Sequence, residues 1–174
     1  MRKRALPIIH IIGLPGAGKT TLARSLSNAL KMPILRIGYH RARFPQTPIG
    51  EADAWIALFR ELSRRRWKNC ILETTGLNSR EDFLRTALPF GQIFTIKLEA
   101  SRKILFSRIR KKKKRERGGR WSYNAAYRNK YEFVRKLSKQ FRKIPADCHI
   151  NTNRLTKAAV YQQALEEINF MVSM

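Results

Sequence analysis

Residues 8–21 read Ile8-Ile9-His10-Ile11-Ile12-Gly13-Leu14-Pro15-Gly16-Ala17-Gly18-Lys19-Thr20-Thr21. Positions 13 to 20 match G-x-x-x-x-G-K-[ST], the phosphate-binding P-loop. The apolar, β-branched run before it reads as a buried parallel strand. After it, Leu22, Leu26, Ala29 and Leu30 recur at helical spacing. Glycine tolerates positive φ and has no Cβ, so such a loop turns its N–H groups towards a phosphate. The helix presents its N-terminus to the same group. Gly13, Gly16, Ala17, Gly18, Lys19, Thr20 and Thr21 are therefore the candidate nucleotide-binding residues. Lys19 supplies a point charge near the β and γ phosphates, and Thr20 offers a hydroxyl to Mg²⁺.

Working outward, strand 1 is expected over Pro7–Ile12 and helix 1 from Gly18 to Lys31. Strand 2 is Pro33–Ile37, followed by a proline-marked loop from Tyr39 to Pro48. A helix from Ile49 to Trp67 carries Trp55, Leu58, Phe59 and Leu62 on its apolar face. Strand 3 spans Asn69–Thr74, and Asn78 or Ser79 caps the next helix, with Asp82 completing a capping-box pattern after Ser79. Strand 4 is Gln92–Leu98. A helix from Ser101 runs into a basic block at 108–120, and a long helix is expected from Ser122 to Lys143. Cys148–Asn151 is strand 5, and Thr156 caps a last helix from Lys157 to Met171. Strands alternating with helices imply a parallel sheet covered on both faces, with the nucleotide at the strands' carboxyl ends.

A chain of 174 residues is expected to form a single domain over 1–174. No apolar stretch is long enough to span a membrane. Met1-Arg2-Lys3-Arg4 before an apolar run imitates a signal peptide, but cleavage there would destroy the P-loop, so a cytoplasmic protein is expected. Cys70 and Cys148 each fall in a buried strand and read as small core residues, not a disulfide or metal site. The formal net charge is +25, well beyond what solubility requires, and points to a polyanion as partner.

The chain resembles the P-loop kinases of the nucleoside, nucleotide and polynucleotide kinase group. The resemblance rests on GLPGAGKTTLA at 13–23, CILETTGLNSRED at 70–82, TIKLEASRKILFSRIRKK at 95–112 and ADCHINTNRLTKAAVYQQALEEI at 146–168. It implies a three-layer α/β/α sandwich with a five-stranded parallel sheet in the order 2-3-1-4-5. It also implies ATP and Mg²⁺ as cofactors, an acceptor-binding region at 38–67 and a basic lid at 108–122. The chain departs from the group's pattern twice. The strand-3 acid is Glu73 where Asp is usual, and Gly38, Tyr39, His40 and Arg41 stand where many members carry an Asp after strand 2.

Glu73, at the carboxyl end of a central strand, is the candidate for holding a Mg²⁺-bound water or accepting the acceptor's proton. His40, Glu51 and Asp53 are further base candidates. Arg41 and Arg43 can clasp a phosphate, since guanidinium binds it bidentately. In the lid, Arg110 and Arg117 are candidates for stabilising the transferred phosphoryl, among Arg108, Arg115 and Arg120. Arg120 and Trp121 are assigned to substrate binding, Trp121 as an exposed base stacker. Tyr123, Tyr127, Tyr131, Val134, Leu137 and Phe141 lie at near-helical spacing and read as a buried face.

Three functional readings follow. The leading one is an ATP-dependent kinase of a hydroxyl on a polynucleotide, DNA rather than RNA: a hydroxymethylpyrimidine base or a 5′-hydroxyl end. The second is a kinase of a nucleoside, nucleoside monophosphate or other metabolite. The third is a non-catalytic nucleic-acid-binding P-loop NTPase. A monomer or homodimer is expected.

Overall fold

The computed structural model describes residues 6–88, 92–115 and 129–173. β1 (Ile8–Gly13) is buried at all six positions because it is the middle strand of the sheet. α1 (Lys19–Leu30) follows the P-loop and turns Leu22, Ala23 and Leu26 inward. The remaining strands are β2 (Ile34–Arg36), β3 (Cys70–Glu73), β4 (Ile93–Glu99) and β5 (Cys148–Asn151). All neighbours pair in parallel, in the order β2-β3-β1-β4-β5, as expected. Ile11 lies opposite Glu73 and Gly13 opposite Leu98, so the P-loop leaves the sheet beside the end of β3.

Two apolar clusters cover the sheet. One joins Ile9, Ile11, Leu26, Ile96 and Ile150 to α5 (Arg102–Arg115), α6 (Lys130–Arg142) and α7 (Lys157–Ser173). The other joins Ile8, Leu35, Cys70 and Leu72 to α3 (Pro48–Arg64) and α4 (Ser79–Ala87). Cys70 and Cys148 are free and buried, and burial raises their thiol pKa values to about 12 and about 11.

The structure revises several expected boundaries. Ile37 does not end a strand: it opens α2 (Ile37–Arg41), a single helical turn closed by Ala42 N–H on the Gly38 carbonyl. The helical turn puts Ile37 and His40, three residues apart, on one buried face. α3 begins one residue earlier than expected, with Pro48 at its start and Thr47 Oγ1 accepting from Gly50 N. It stops at Arg64 rather than Trp67. Arg66 and Trp67 adopt left-handed backbones, and Trp67 N–H reaches back to the Leu62 carbonyl, which closes the helix end. The Trp67 ring then packs against Phe59 at 6.1 Å between centroids.

Asn78, not Ser79, caps α4, accepting from Arg80 N at 2.9 Å. Asp82 pairs with Arg85, and with Asn78 as the cap the residue three positions on is Glu81. Of the helix expected from Ser122 to Lys143, the described part is α6, capped by Asn129, whose backbone is extended and whose side chain accepts from Tyr131 N and Glu132 N. Phe133, Val134 and Phe141 of α6 are buried and Tyr131 and Leu137 pack against them, as the spacing anticipated. Tyr123 and Tyr127 lie outside the described residues.

Candidate nucleotide and acceptor site

The P-loop geometry follows from two glycines. Gly16 has φ +88 and Gly18 has φ +104, a backbone region costly for residues with a Cβ. A Cβ on Gly16 would also stand 2.8 Å from the Leu105 carbonyl of α5. Helix α5 therefore rests directly on the loop. α1 begins at Lys19, immediately after this turn, so the loop meets the N-terminal end of a helix, the end that favours an anion. Lys19 is buried and donates to the Gly13 carbonyl at 2.8 Å and to the Leu14 carbonyl at 3.4 Å, so its ammonium is held across the loop.

Thr20 Oγ1 donates to Glu73 Oε1 at 2.6 Å. This contact brings the P-loop hydroxyl and the β3 carboxylate together, as the register of β1 against β3 requires. The pair offers two oxygens of the kind a Mg²⁺ ion takes, and such ions are commonly held by one or two carboxylates plus phosphate and water. Arg36, the last residue of β2, places Nε 2.7 Å from Glu73 Oε2. The approach is off the N–H axis, so it is an ion pair rather than a hydrogen bond. Arg36 Nη1 donates to Tyr39 Oη at 2.8 Å, and its guanidinium lies 5.2 Å from the Tyr39 ring centroid. Arg36 was missed in the sequence. Only its place at the end of the strand beside Glu73 could have signalled it.

The region that the resemblance assigns to the acceptor is built by α2 and α3. Arg41 grips Glu51 through two hydrogen bonds, Nε to Oε2 at 2.7 Å and Nη2 to Oε1 at 2.6 Å. Trp55 Nε1 donates to the same Oε1 at 2.9 Å. Burial works to raise the Glu51 pKa, but the hydrogen bonds and charge of Arg41 outweigh it and hold the carboxyl below its ordinary value. His40 is buried against Glu61, 3.4 Å away; burial lowers its pKa and Glu61 only partly opposes this. Arg43 is exposed, and Asp53 is half-buried on α3. A cavity of about 220 Å³ opens on the β2 side, with Arg36, Tyr39, His40, Arg43 and Glu61 in its wall.

On the opposite side of the P-loop, Arg108 donates to the Gly16 carbonyl at 3.4 Å, to Thr152 Oγ1 at 2.8 Å and to the Thr152 carbonyl at 2.5 Å. It ties α5 to the loop and to the end of β5, a placement that a run of cations does not reveal. Arg110, two residues on, is exposed on α5. Arg117, Arg120 and Trp121 lie outside the described residues, as does the side chain of Arg115.

A family model described as an AAA domain matches residues 8–126, a span that includes β1, loop 13–20 and Glu73 at the end of β3. The chain belongs to the AAA domain family. No curated protein sequence matches this AAA domain. Among solved structures it is similar to a shikimate kinase from Acinetobacter baumannii in complex with shikimate, at 20% identity and TM-score 0.65, covering 95% of this chain and 94% of that one. It is also similar to a gluconokinase from Sinorhizobium meliloti 1021, at 16% identity and TM-score 0.67, covering 98% and 96%. A shikimate kinase from Aquifex aeolicus gives 17% identity and TM-score 0.61, covering 95% and 98%. The AAA domain thus has the fold of the P-loop kinases across nearly its whole length. Among the described residues, no helix is long and apolar enough to cross a membrane.

Proposed function

We propose that the protein is an ATP-dependent kinase transferring the γ-phosphate to a hydroxyl of a small metabolite. The observation that carries this reading is the Thr20–Glu73 contact at 2.6 Å, at the mouth of the P-loop. Lys19 neutralises charge on the β and γ phosphates, and the N–H groups of the loop and α1 hold them in place. Thr20 and Glu73 are the residues that would hold Mg²⁺, which when bound draws off negative charge from the transferred group. Glu73, steadied by Arg36, is also the candidate to receive the acceptor's proton.

Two features favour a small acceptor over the polynucleotide that the net charge first suggested. Two arginines at and after the end of β2 are engaged with acids of the protein: Arg36 with Glu73 and Arg41 with Glu51. The cavity beside Arg36, about 220 Å³, is below the range of about 300–1,000 Å³ usual for drug-sized ligands. The kinases similar in fold are named for shikimate and gluconate, which agrees with this reading.

The test is transfer of label from γ-labelled ATP with Mg²⁺ to a panel of hydroxy acids, sugar acids and nucleosides. Hydroxyl-ended DNA and RNA and hydroxymethylpyrimidine DNA run alongside. Label on a small acceptor is expected. Label on a polynucleotide alone would reinstate the polynucleotide kinase, and nucleotide binding without transfer to any acceptor would indicate a non-catalytic NTPase.

A further inference from the structure

A metabolite kinase leaves most of the +25 formal charge unexplained. Helix α6 shows where part of it goes. Phe133, Val134 and Phe141 of this helix are buried, whereas Arg135, Lys136, Lys139, Arg142 and the following Lys143 are all exposed. With 3.6 residues per turn, these five cations fall within an arc of roughly 120°. Glu132 shares the arc and pairs with Lys136 at 2.8 Å, so one acid answers five cations.

The face is held rigidly. At its start, Asn129 Oδ1 accepts from Tyr131 N and Glu132 N, and Tyr131 packs edge-on to Phe106 of α5 at 5.2 Å. At its end, the buried Lys97 of β4 donates to the Arg142 carbonyl at 2.9 Å and the Ile144 carbonyl at 3.0 Å, with its ammonium 5.1 Å from the Phe141 ring centroid. Arg135 to Lys143 spans about 12 Å at a rise of roughly 1.5 Å per residue. Over that length a nucleic-acid duplex presents about seven negative charges, and a single strand about four. Five like charges on one face repel one another unless a polyanion or counterions lie across them.

We propose that the Arg135–Lys143 face of α6 is a docking surface for the phosphate backbone of a nucleic-acid duplex, distinct from the phosphoryl-transfer site. The surface carries no base-reading geometry, so binding is independent of sequence and strongly salt-dependent. It stands or falls separately from the kinase reading.

The experiment measures binding of a mixed-sequence DNA duplex by fluorescence anisotropy between 50 and 200 mM salt, a range over which phosphate contacts dominate. A variant carrying Arg135→Gln, Lys139→Gln, Arg142→Gln and Lys143→Gln is compared with a charge-matched variant carrying Arg60→Gln, Arg64→Gln, Arg66→Gln and Lys68→Gln on α3 and the turn after it. Thermal unfolding confirms that both fold. The α6 variant is expected to bind at least about tenfold more weakly at the low-salt end, with the log–log salt slope flattened by roughly 0.9 per lost contact, up to about 3.6. The α3 variant is expected to keep most of the slope, and ATP turnover is expected to be unchanged in both. Equal losses in the two variants, an unchanged slope in the α6 variant, or wild-type binding to anionic vesicles but not to duplex would each overturn the proposal.

Discussion

Thr74 Oγ1 donates to Glu81 Oε2 across 2.6 Å, inside the turn that follows Glu73. The same hydroxyl lies 2.8 Å from His10 Nε2 and accepts from Gly76 N–H at 3.3 Å. His10 of β1 and Glu81 of α4 are both buried. Three elements thus meet at one hydroxyl directly behind the strand end that carries the candidate site acid. Burial raises the Glu81 carboxyl from 4.5 to about 7, with Thr74 and Arg85 pulling the other way. Burial, aided by the Arg85 charge, lowers His10 from 6.5 to about 3.

These shifts act oppositely on stability. Between pH 4.5 and about 7 the folded protein keeps a proton on Glu81 that the unfolded chain has lost, so this group's contribution falls as pH rises through that window. Between about 3 and 6.5 the unfolded chain holds a proton that buried His10 refuses, so its contribution is lost as pH falls. The two offset where the windows overlap. In His10→Gln only the Glu81 effect remains, and stability relative to His10→Gln/Glu81→Gln should decline by on the order of 3 kcal/mol from acid to neutral pH. Urea midpoints at several pH values check this, and a constant difference between the two variants would refute the buried carboxylic acid.

Lys19→Ala should lower kcat for phosphoryl transfer by about 10²–10³, the usual loss when one preorganised donor to developing charge is removed. Binding of duplex DNA to the α6 face should be unaffected. A rate near that of the wild type would show that the P-loop is not the transfer site.

Glu73→Gln keeps the shape of the side chain but removes its charge. It should raise the Mg²⁺ concentration required for half-maximal rate by about 10- to 100-fold and depress kcat as well. Arg36→Met leaves the carboxylate in place and only releases it from its ion pair, so a smaller effect is expected, with Thr20 still donating to Glu73. Titrating Mg²⁺ against initial rate separates the two variants. If they were equally impaired, the carboxylate's role would lie in its pairing rather than in holding the metal.

Glu51→Ala should cost about 2 kcal/mol of stability. It removes the acceptor shared by Arg41 and Trp55 at a site where the partners are mostly screened from water. Because Arg41 holds the Glu51 carboxyl below its ordinary pKa, this group's contribution is present near neutral pH and is lost on acidification. Chemical denaturation of wild type and variant at neutral and acid pH should show a difference that shrinks as the pH falls.

The P-loop, the five parallel strands and the buried face of α6 were all legible in the sequence, because each is written locally. Eight consecutive residues specify the loop, a run of β-branched residues specifies a strand, and the recurrence of Val134, Leu137 and Phe141 specifies a helix face. The choice of Glu73 as the acid beside the P-loop rested on its place at the end of a strand together with the resemblance of residues 70–82 to the kinase group's pattern. Tertiary structure decided the partners. Arg41 was a phosphate clasp in the sequence and is bound to Glu51 in the fold; Arg108 was one cation of a block and ties Gly16 to Thr152. Arg36, Thr74 and Glu81 gave no local sign of meeting Glu73 and His10, since strand register and helix packing bring them together across the chain. Charge pairing and pKa depend on which groups share a dry environment, and that is settled only when the layers close.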